Sequence, residues 1–360
     1  MKGLILSGGK GVRLRPLTNT RAKQLVPIAN KPILFYCIEQ LADAGITEIG
    51  IIIGETGDEV REAVGDGSKW GVDISWIPQE APLGLAHCVL IAKEFLGNDD
   101  FVMFLGDNML ELELASMVHE FMNDRNDYSL SCRVLLKKVD NPSFFGVGVI
   151  NDKGQVTELI EKPKEPPSDL ALVGVYFFTD AIHNATLSIS PSKRGELEIT
   201  DAIQWLIDNE YVVDHDILDG WWIDTGKKDP LLECNRLVLS TADTDIAQSA
   251  VIDGETSISG VIQIGEKTVI SNSIIEGPVV IGSNVTISNS HIRPFTSIGD
   301  GVQVSDSMLE DSVLLEGCII DNAGLINASL VGSNSKVSGS ADFADSNTLL
   351  LGDNSIVDLS

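Results

Sequence analysis

Gly3-Leu4-Ile5-Leu6-Ser7-Gly8-Gly9-Lys10-Gly11-Val12-Arg13-Leu14 opens the chain as a short β-type run that breaks into a glycine-rich, basic turn. Glycines at 8, 9 and 11 let the backbone approach a phosphate chain closely and present N–H groups to it. A plain tight turn would use the same residues, and the spacing matches neither the dinucleotide fingerprint nor the Gly-Lys-Ser/Thr ending of a P-loop. Arg13, Arg15 and Lys23 nearby favour an anion seat. Outward from this stretch, β-type runs at Ile49 to Ile53, Ile74 to Ile77 and Phe101 to Leu105 alternate with helical patterns. The helical stretches are Pro32 to Ala44, Glu59 to Val64, Leu85 to Phe95 and Leu112 to Phe121. Such alternation predicts an α/β domain, a Rossmann-like mixed sheet with helices on both faces. Ligands bind beyond the carboxyl ends of such strands. Gly106-Asp107-Asn108, after the fourth run, therefore points toward the same crevice as the glycine turn, with Asp107 placed to hold a divalent cation. A helix cap or turn former would look the same in isolation.

The charge distribution limits the partners. A formal charge of −28 opposes nucleic-acid polymers and anionic membranes, which would be repelled over most of the surface. From Met1 to Ile38, however, there are seven Lys or Arg and no Asp or Glu, a local seat for a small polyanion such as polyphosphate. Five scattered cysteines read as buried hydrophobes of a reducing cytoplasm, and there is neither an export signal nor an 18-residue apolar run.

Texture changes near Thr241, which predicts two domains, 1–240 and 241–360. Beyond that point three Lys or Arg remain and large apolar residues recur every 17 positions: Ile258, Ile275, Ile292, Leu309, Ile326 and Phe343. Ile264, Ile281, Ile298 and Leu315 keep the same period, as do Ile270, Ile287 and Val304. Ser271-Asn272-Ser273, Ser288-Asn289-Ser290 and Ser305-Asp306-Ser307 recur in register. Three short strands per coil, each sending one aliphatic inward, are the pattern of a hexapeptide-repeat, left-handed parallel β-helix, less regular past Gly332 as a cap would be.

Several motifs in fixed order then carry a family resemblance. These are the glycine stretch with Arg15-Pro16-Leu17-Thr18, Lys23-Gln24-Leu25-Val26-Pro27, Gly106-Asp107-Asn108 and Glu161-Lys162-Pro163. Arg194-Gly195-Glu196-Leu197-Glu198-Ile199-Thr200-Asp201 and Trp222-Ile223-Asp224-Thr225-Gly226 complete the set. Together they resemble the glucose-1-phosphate thymidylyltransferases. The repeat ending in Leu350-Leu351-Gly352-Asp353 resembles that family's long form.

The resemblance implies a division of labour. Gly8, Gly9, Gly11 and Arg13 would cradle the triphosphate of dTTP, Lys23 would stabilise the transferring phosphates, and Gln79 with Gly84 would read the base. Asp107 and Asp224 would share Mg2+. Gly146, Glu161 and Val173 would contact the hexose of glucose 1-phosphate, and Lys162 and Arg194 would clamp its phosphate. A sugar-phosphate oxygen would attack the α-phosphorus in line and release pyrophosphate. No nucleophile or general base is needed, because the attacking phosphate is already ionised.

Val12, Lys227 and Leu83 depart from the family pattern: Val12 spares backbone contacts, and Lys227 reads as a solvated side chain. Four questions stay open on the sequence. UTP or another hexose phosphate is an alternative substrate, since one methyl group separates thymine from uracil. A non-catalytic binding homologue is a second possibility. An acyltransferase in the β-helix is a third, against which stands its single His291 in an unbroken repeat. The β-helix would otherwise serve as structure, capping the catalytic domain or joining subunits of a homo-oligomer.

Overall fold

The computed structural model describes residues 1–9, 11–340 and 346–359. Contacts divide it into two units, Met1–Lys10 with Leu34–Trp222, and Gly11–Ile33 with Ile223–Ser360.

The first unit is built on a nine-stranded mixed sheet. Its strands are β1 (Lys2–Ser7), β2 (Glu48–Ile53), β3 (Asp73–Pro78), β4 (Phe101–Leu105), β5 (Leu130–Lys138), β6 (Gly146–Ile150), β7 (Val156–Glu161), β8 (Leu170–Phe178) and β9 (Val212–Ile217). The order β7-β6-β8-β4-β1-β2-β3 puts β1 between β4 and β2, all parallel, while β8 runs antiparallel to β4 and also pairs with β5. Leu4 and Ile5 are fully buried, as expected of a strand covered on both faces, where apolar runs replace alternation. All four β-type runs read from the sequence are strands of this sheet. Their helical neighbours are α1 (Ile33–Asp43), α2 (Gly57–Val64), α3 (Leu85–Ile91) and α4 (Leu114–Tyr128). The pattern to Phe95 is interrupted at Ala92, and Lys93–Leu96 forms a separate turn. Helix α4 runs about two turns past the expected Phe121 and stops at Ser129, which turns left-handed with φ 56°.

The second unit carries the expected parallel β-helix. Its three faces climb as parallel ladders, such as Ile264↔Ile281↔Ile298, Ile270↔Ile287↔Val304 and Ile275↔Ile292↔Leu309, each step 17 residues. Each of these aliphatics is almost wholly buried and contributes about 1.5–3 kcal/mol by leaving water. The Ser-Asn-Ser triplets are a corner of the coil. Asn272, Asn289 and Asp306 adopt φ of 43°, 49° and 47°, a conformation that Asn and Asp tolerate because their short polar side chains bond locally. Asn272 donates to Asn289 (2.8 Å) and Asn289 to Asp306 (3.2 Å), while Ser273 and Ser290 accept from the backbone N–H one coil on.

Two positions differ from the periodic reading. Ile258 is 36% exposed, because its strand, Ser257–Ser259, lies at the open end of the stack and pairs with one neighbour. Ile298 pairs with Leu314 rather than Leu315, since the coil there is one residue shorter, and Leu314 takes the core place. The last step, Val331 to Leu351, spans 20 residues. Phe343 lies outside the described residues. His291 pairs with Glu276 at 2.7 Å and the coils run through it unbroken.

Candidate active site

In the first unit, β1 and β4 end side by side, and the Gly106 N–H donates to the Leu6 carbonyl at 3.0 Å. This brings the Gly8 turn and Asp107 to neighbouring strand ends, as the sequence required. Asp107 accepts from the Asn108 amide at 2.9 Å; Asn108 itself is 4% exposed and accepts from Trp222 Nε1 at 2.6 Å. A Cβ on Gly174 would meet that same Asn108 Oδ1 at 2.6 Å, so β8 can pass only as glycine. Asn108, which the motif includes without a role, thus helps hold Asp107. A buried amide directly after a strand-end acid was the available signal.

Gln79 follows β3, its N–H bonded to Ile53 O. Its Oε1 lies over Gly8, where a Cβ would approach it to 3.2 Å. Its Nε2 donates to His87 Nδ1 at 3.1 Å and Cys88 Sγ at 3.2 Å, both on α3. An amide nitrogen can only donate, so Nδ1 is the bare imidazole nitrogen and the ring proton sits on Nε2. Burial lowers the His87 pKa, which favours that neutral form. With Nε2 engaged, Gln79 offers Oε1 as an acceptor, the group a pyrimidine imide N–H requires. Gly84, ahead of α3, has φ +106°, and a Cβ there would lie 2.3 Å from Leu197 O. Backbone bonds Leu197 N to Leu83 O and Ala86 N to Leu197 O lock this close approach. His87 and Cys88 escaped the sequence reading, because nothing in their spacing marks them as partners of Gln79.

Of the residues expected at the hexose, Gly146 and Glu161 face one another across β6 and β7. A Cβ on Gly146 would strike Thr200 Cγ2 at 2.7 Å, and Thr200 Oγ1 donates to Glu161 Oε2 at 3.3 Å. Glu161 is a strand-end residue with a side chain 19% exposed, not an open turn; it pairs with Lys162 Nζ at 2.9 Å. The Val173 side chain is fully buried, so a ligand could reach only its backbone, which lies where the β8–β5 ladder shifts register. Arg194 binds the buried Glu198 through two nitrogens at 3.1 and 2.9 Å and also meets Glu196 and Glu161. The Glu198 hydrogen bond is the chief cause of its raised pKa. One edge of its fork is thereby committed to holding Glu198.

In the second unit, Gly11 has φ +61°, and a Cβ would sit 3.0 Å from both Lys23 Cβ and Thr18 Cγ2, so the segment folds tightly on itself. Thr18 Oγ1 bonds the Gly11 carbonyl at 2.7 Å. Arg13 Nη2 reaches Asp224 Oδ2 at 3.1 Å, and Lys23 Nζ, 5% exposed, reaches Asp224 Oδ1 at 3.5 Å. Gly226 N also donates to Asp224 at 2.9 Å. Burial pushes the Asp224 carboxyl up, but Lys23, Arg13 and the Gly226 N–H outweigh it and hold the pKa below the ordinary range. Val12 is exposed, as is Lys227. Gly8, Gln79, Gly84, Asp107, Gly146, Glu161, Lys162, Val173 and Arg194 belong to the first unit, and Gly11, Arg13, Lys23 and Asp224 to the second.

Among the described residues no cluster of three or more His, Cys, Asp or Glu forms a metal cage. Asp107 in the first unit and Asp224 in the second each offer hard carboxylate oxygens of the kind a divalent cation takes. The five cysteines are free and buried, and burial raises the pKa of each thiol, away from the thiolate that a nucleophile needs.

In the first unit β1 ends in a glycine turn and β4 in the carboxylate Asp107, and in the second unit Arg13 and Lys23 meet on Asp224. Comparison with known proteins gives the family. Residues 2–241 match the nucleotidyl transferase family. The chain is 48% identical over 360 residues, the full length of both, to a glucose-1-phosphate thymidylyltransferase of Streptomyces griseus. It is 39% identical over 228 residues, 63% of this chain and 91% of the other, to the UTP–glucose-1-phosphate uridylyltransferase AglF of Haloferax volcanii. A Bacillus anthracis structure described as a glucose-1-phosphate thymidylyltransferase, with sucrose bound, superposes with TM-score 0.63 at 34% identity, covering 68% of this chain and 98% of that one. The chain belongs to the nucleotidyl transferase family, and within it to the glucose-1-phosphate thymidylyltransferases of long form.

Proposed function

We propose that the chain transfers a thymidylyl group from dTTP to glucose 1-phosphate, giving dTDP-glucose and pyrophosphate for activated-sugar synthesis. The observation that carries the chemistry is the convergence of Arg13 and Lys23 on Asp224 beside the glycine segment. Such a group neutralises phosphate charge without offering a nucleophile, which is what nucleotidyl transfer needs. The sugar-phosphate oxygen forms the new bond to the α-phosphorus as the bond to the β-phosphate oxygen breaks, and the electron pair leaves with pyrophosphate. Arg13 and Lys23 bind the triphosphate, Gly8, Gly9 and Gly11 admit it to the backbone, and Gln79 and Gly84 read the base. Gly146, Glu161 and the Val173 backbone hold the hexose, with Lys162 and Arg194 on its phosphate. Asp107 and Asp224 are the carboxylates assigned to Mg2+, which when bound neutralises charge on the phosphates.

Residues 1–240 carry the reaction and 241–360 the β-helix, in a cytoplasmic homo-oligomer. No helix among the described residues is long and apolar enough to cross a membrane. UTP is the alternative nucleotide, because an acceptor at Gln79 Oε1 suits the imide N–H that uracil and thymine share.

Pyrophosphate release from the purified chain with Mg2+ and glucose 1-phosphate, run with dTTP and UTP in parallel and without sugar phosphate as control, tests this. Sugar-dependent release supports the assignment, and the dTTP to UTP ratio of kcat/KM decides the nucleotide. Release with neither nucleotide refutes it.

A further inference from the structure

Leu350-Leu351-Gly352-Asp353 closes the coil repeat. Leu350 and Leu351 pair with Leu330 and Val331, which places Gly352 and Asp353 at the corner of the last coil. Gly352 is buried, and a Cβ on it would lie 2.9 Å from Pro16 O. Asp353 Oδ2 accepts from Thr20 Oγ1 at 2.8 Å and its Oδ1 from the Ser333 N–H at 2.8 Å, tying the segment to two coils at once. Arg21 Nη2 donates to Ser333 Oγ at 2.5 Å and to Glu316 Oε1 at 3.3 Å, so a third coil joins. A second seam holds the other end of the segment. Asn30 Nδ2 donates to Ile298 O at 2.7 Å, and Asn235 bonds Ala29 N at 2.9 Å while accepting from Ser297 Oγ at 2.8 Å. The stretch laid on the coil corners, Pro16 to Arg21, lies between Arg13 and Lys23, the two cations that meet on Asp224.

We propose that the last coils of the β-helix position the nucleotide site: Gly352 and Asp353, with Ser333 and Glu316, clamp the Pro16–Arg21 stretch and thereby set where Arg13 and Lys23 stand. This rests on the function proposed above for Arg13 and Lys23. Without the clamp the two cations would still be present, but the segment would sample positions in which they miss the triphosphate. Rate and nucleotide affinity are sensitive to displacements on the order of 1 Å.

Thr20→Val removes the hydroxyl that Asp353 holds, Thr20→Ser keeps it, and Gly352→Ala pushes on Pro16 from below. Asn289→Ala, in the ladder of another corner, is the control. The expected result is a nucleotide KM raised about three- to tenfold in Thr20→Val and Gly352→Ala, with the glucose 1-phosphate KM unchanged and Thr20→Ser and Asn289→Ala like wild type. Hydrogen exchange of the peptide spanning residues 16–23 supplies a readout independent of turnover; it should quicken in the same two variants alone. Unchanged exchange and unchanged nucleotide KM overturn the clamp. Equal rises in both KM values, or in all four variants, overturn it as well, since they would mark general loosening. Absent turnover in wild type with quickened exchange in the two variants would leave the clamp standing and sink the enzymatic assignment instead.

Discussion

Arg13 Nη2 and Asp224 Oδ2 lie 3.1 Å apart across 211 positions of sequence. The contact needs glycine at its side: a Cβ on Gly226 would sit 2.5 Å from Arg13 Nη2 and 2.8 Å from Asp224 Oδ1. The spacing of the Asp224-Thr225-Gly226 motif is thereby explained sterically. The acid and the cation can meet because the residue two places on has no side chain.

Asp224→Asn should abolish Mg2+-dependent turnover while preserving shape, as should Asp107→Asn. The Asp224 change should also cost about 1–3 kcal/mol at pH 7, because the buried Lys23 loses an ionised partner. The folded pKa of Asp224 is depressed, so its contribution is complete above the unfolded value of about 3.9 and disappears as pH falls through the folded value. Denaturant titrations of wild type and Asn variant at pH 7 and pH 3 should therefore show a gap that narrows with acid. A constant gap, or near-normal turnover, would contradict the assignment.

His87→Leu should raise the dTTP KM about three- to tenfold and leave the glucose 1-phosphate KM alone, since it frees the Gln79 amide to rotate. In wild type the dTTP KM should climb as pH falls through the lowered pKa of His87, where a protonated Nδ1 can no longer accept from Gln79. Burial lowers the His87 pKa, so the neutral, accepting form persists to lower pH than in a free imidazole. A flat profile between pH 5 and 8 for dTTP would remove His87 from base reading.

Gly84→Ala should destabilise by about 2–4 kcal/mol, combining left-handed strain with a Cβ driven onto the Leu197 backbone. A melting temperature within a degree of wild type would show that the α3 entry can relax.

Arg194→Ala should do two separable things: raise the glucose 1-phosphate KM and cost about 1–3 kcal/mol of stability by leaving Glu198 buried without its cation. Adding Glu198→Gln should restore stability without restoring the KM. Recovery of both would make Arg194 a structural counter-ion alone.

How much was legible in advance follows from the range of the interactions involved. The strands around β1 and the 17-residue coil were visible because burial imposes a local period, and the Ser-Asn-Ser triplets were visible as recurring in register with it, while the left-handed backbone at Asn272 and Asn289 came from the structure. Ile258 and Leu315 went astray where a local period cannot see its surroundings, at the end of a stack and at a one-residue shortening. The acidic and basic residues proposed for the site were read from motifs, and the partners the structure gives them were not. Asn108 behind Asp107, His87 behind Gln79 and Glu198 behind Arg194 are supports whose roles exist only in the packed chain.

By itself the sequence determined the two architectures and the concentration of basic residues in the opening segment, because strand burial, coil periodicity and glycine turns are written within a few positions of one another. Tertiary structure alone decided that Asp224 is ionised between Arg13 and Lys23, and that Gly352 and Asp353 hold the segment joining those cations. The physical reason is that a pKa and a clamp are both properties of distance in space, and separations of 211 and 333 positions leave no local trace of a contact near 3 Å.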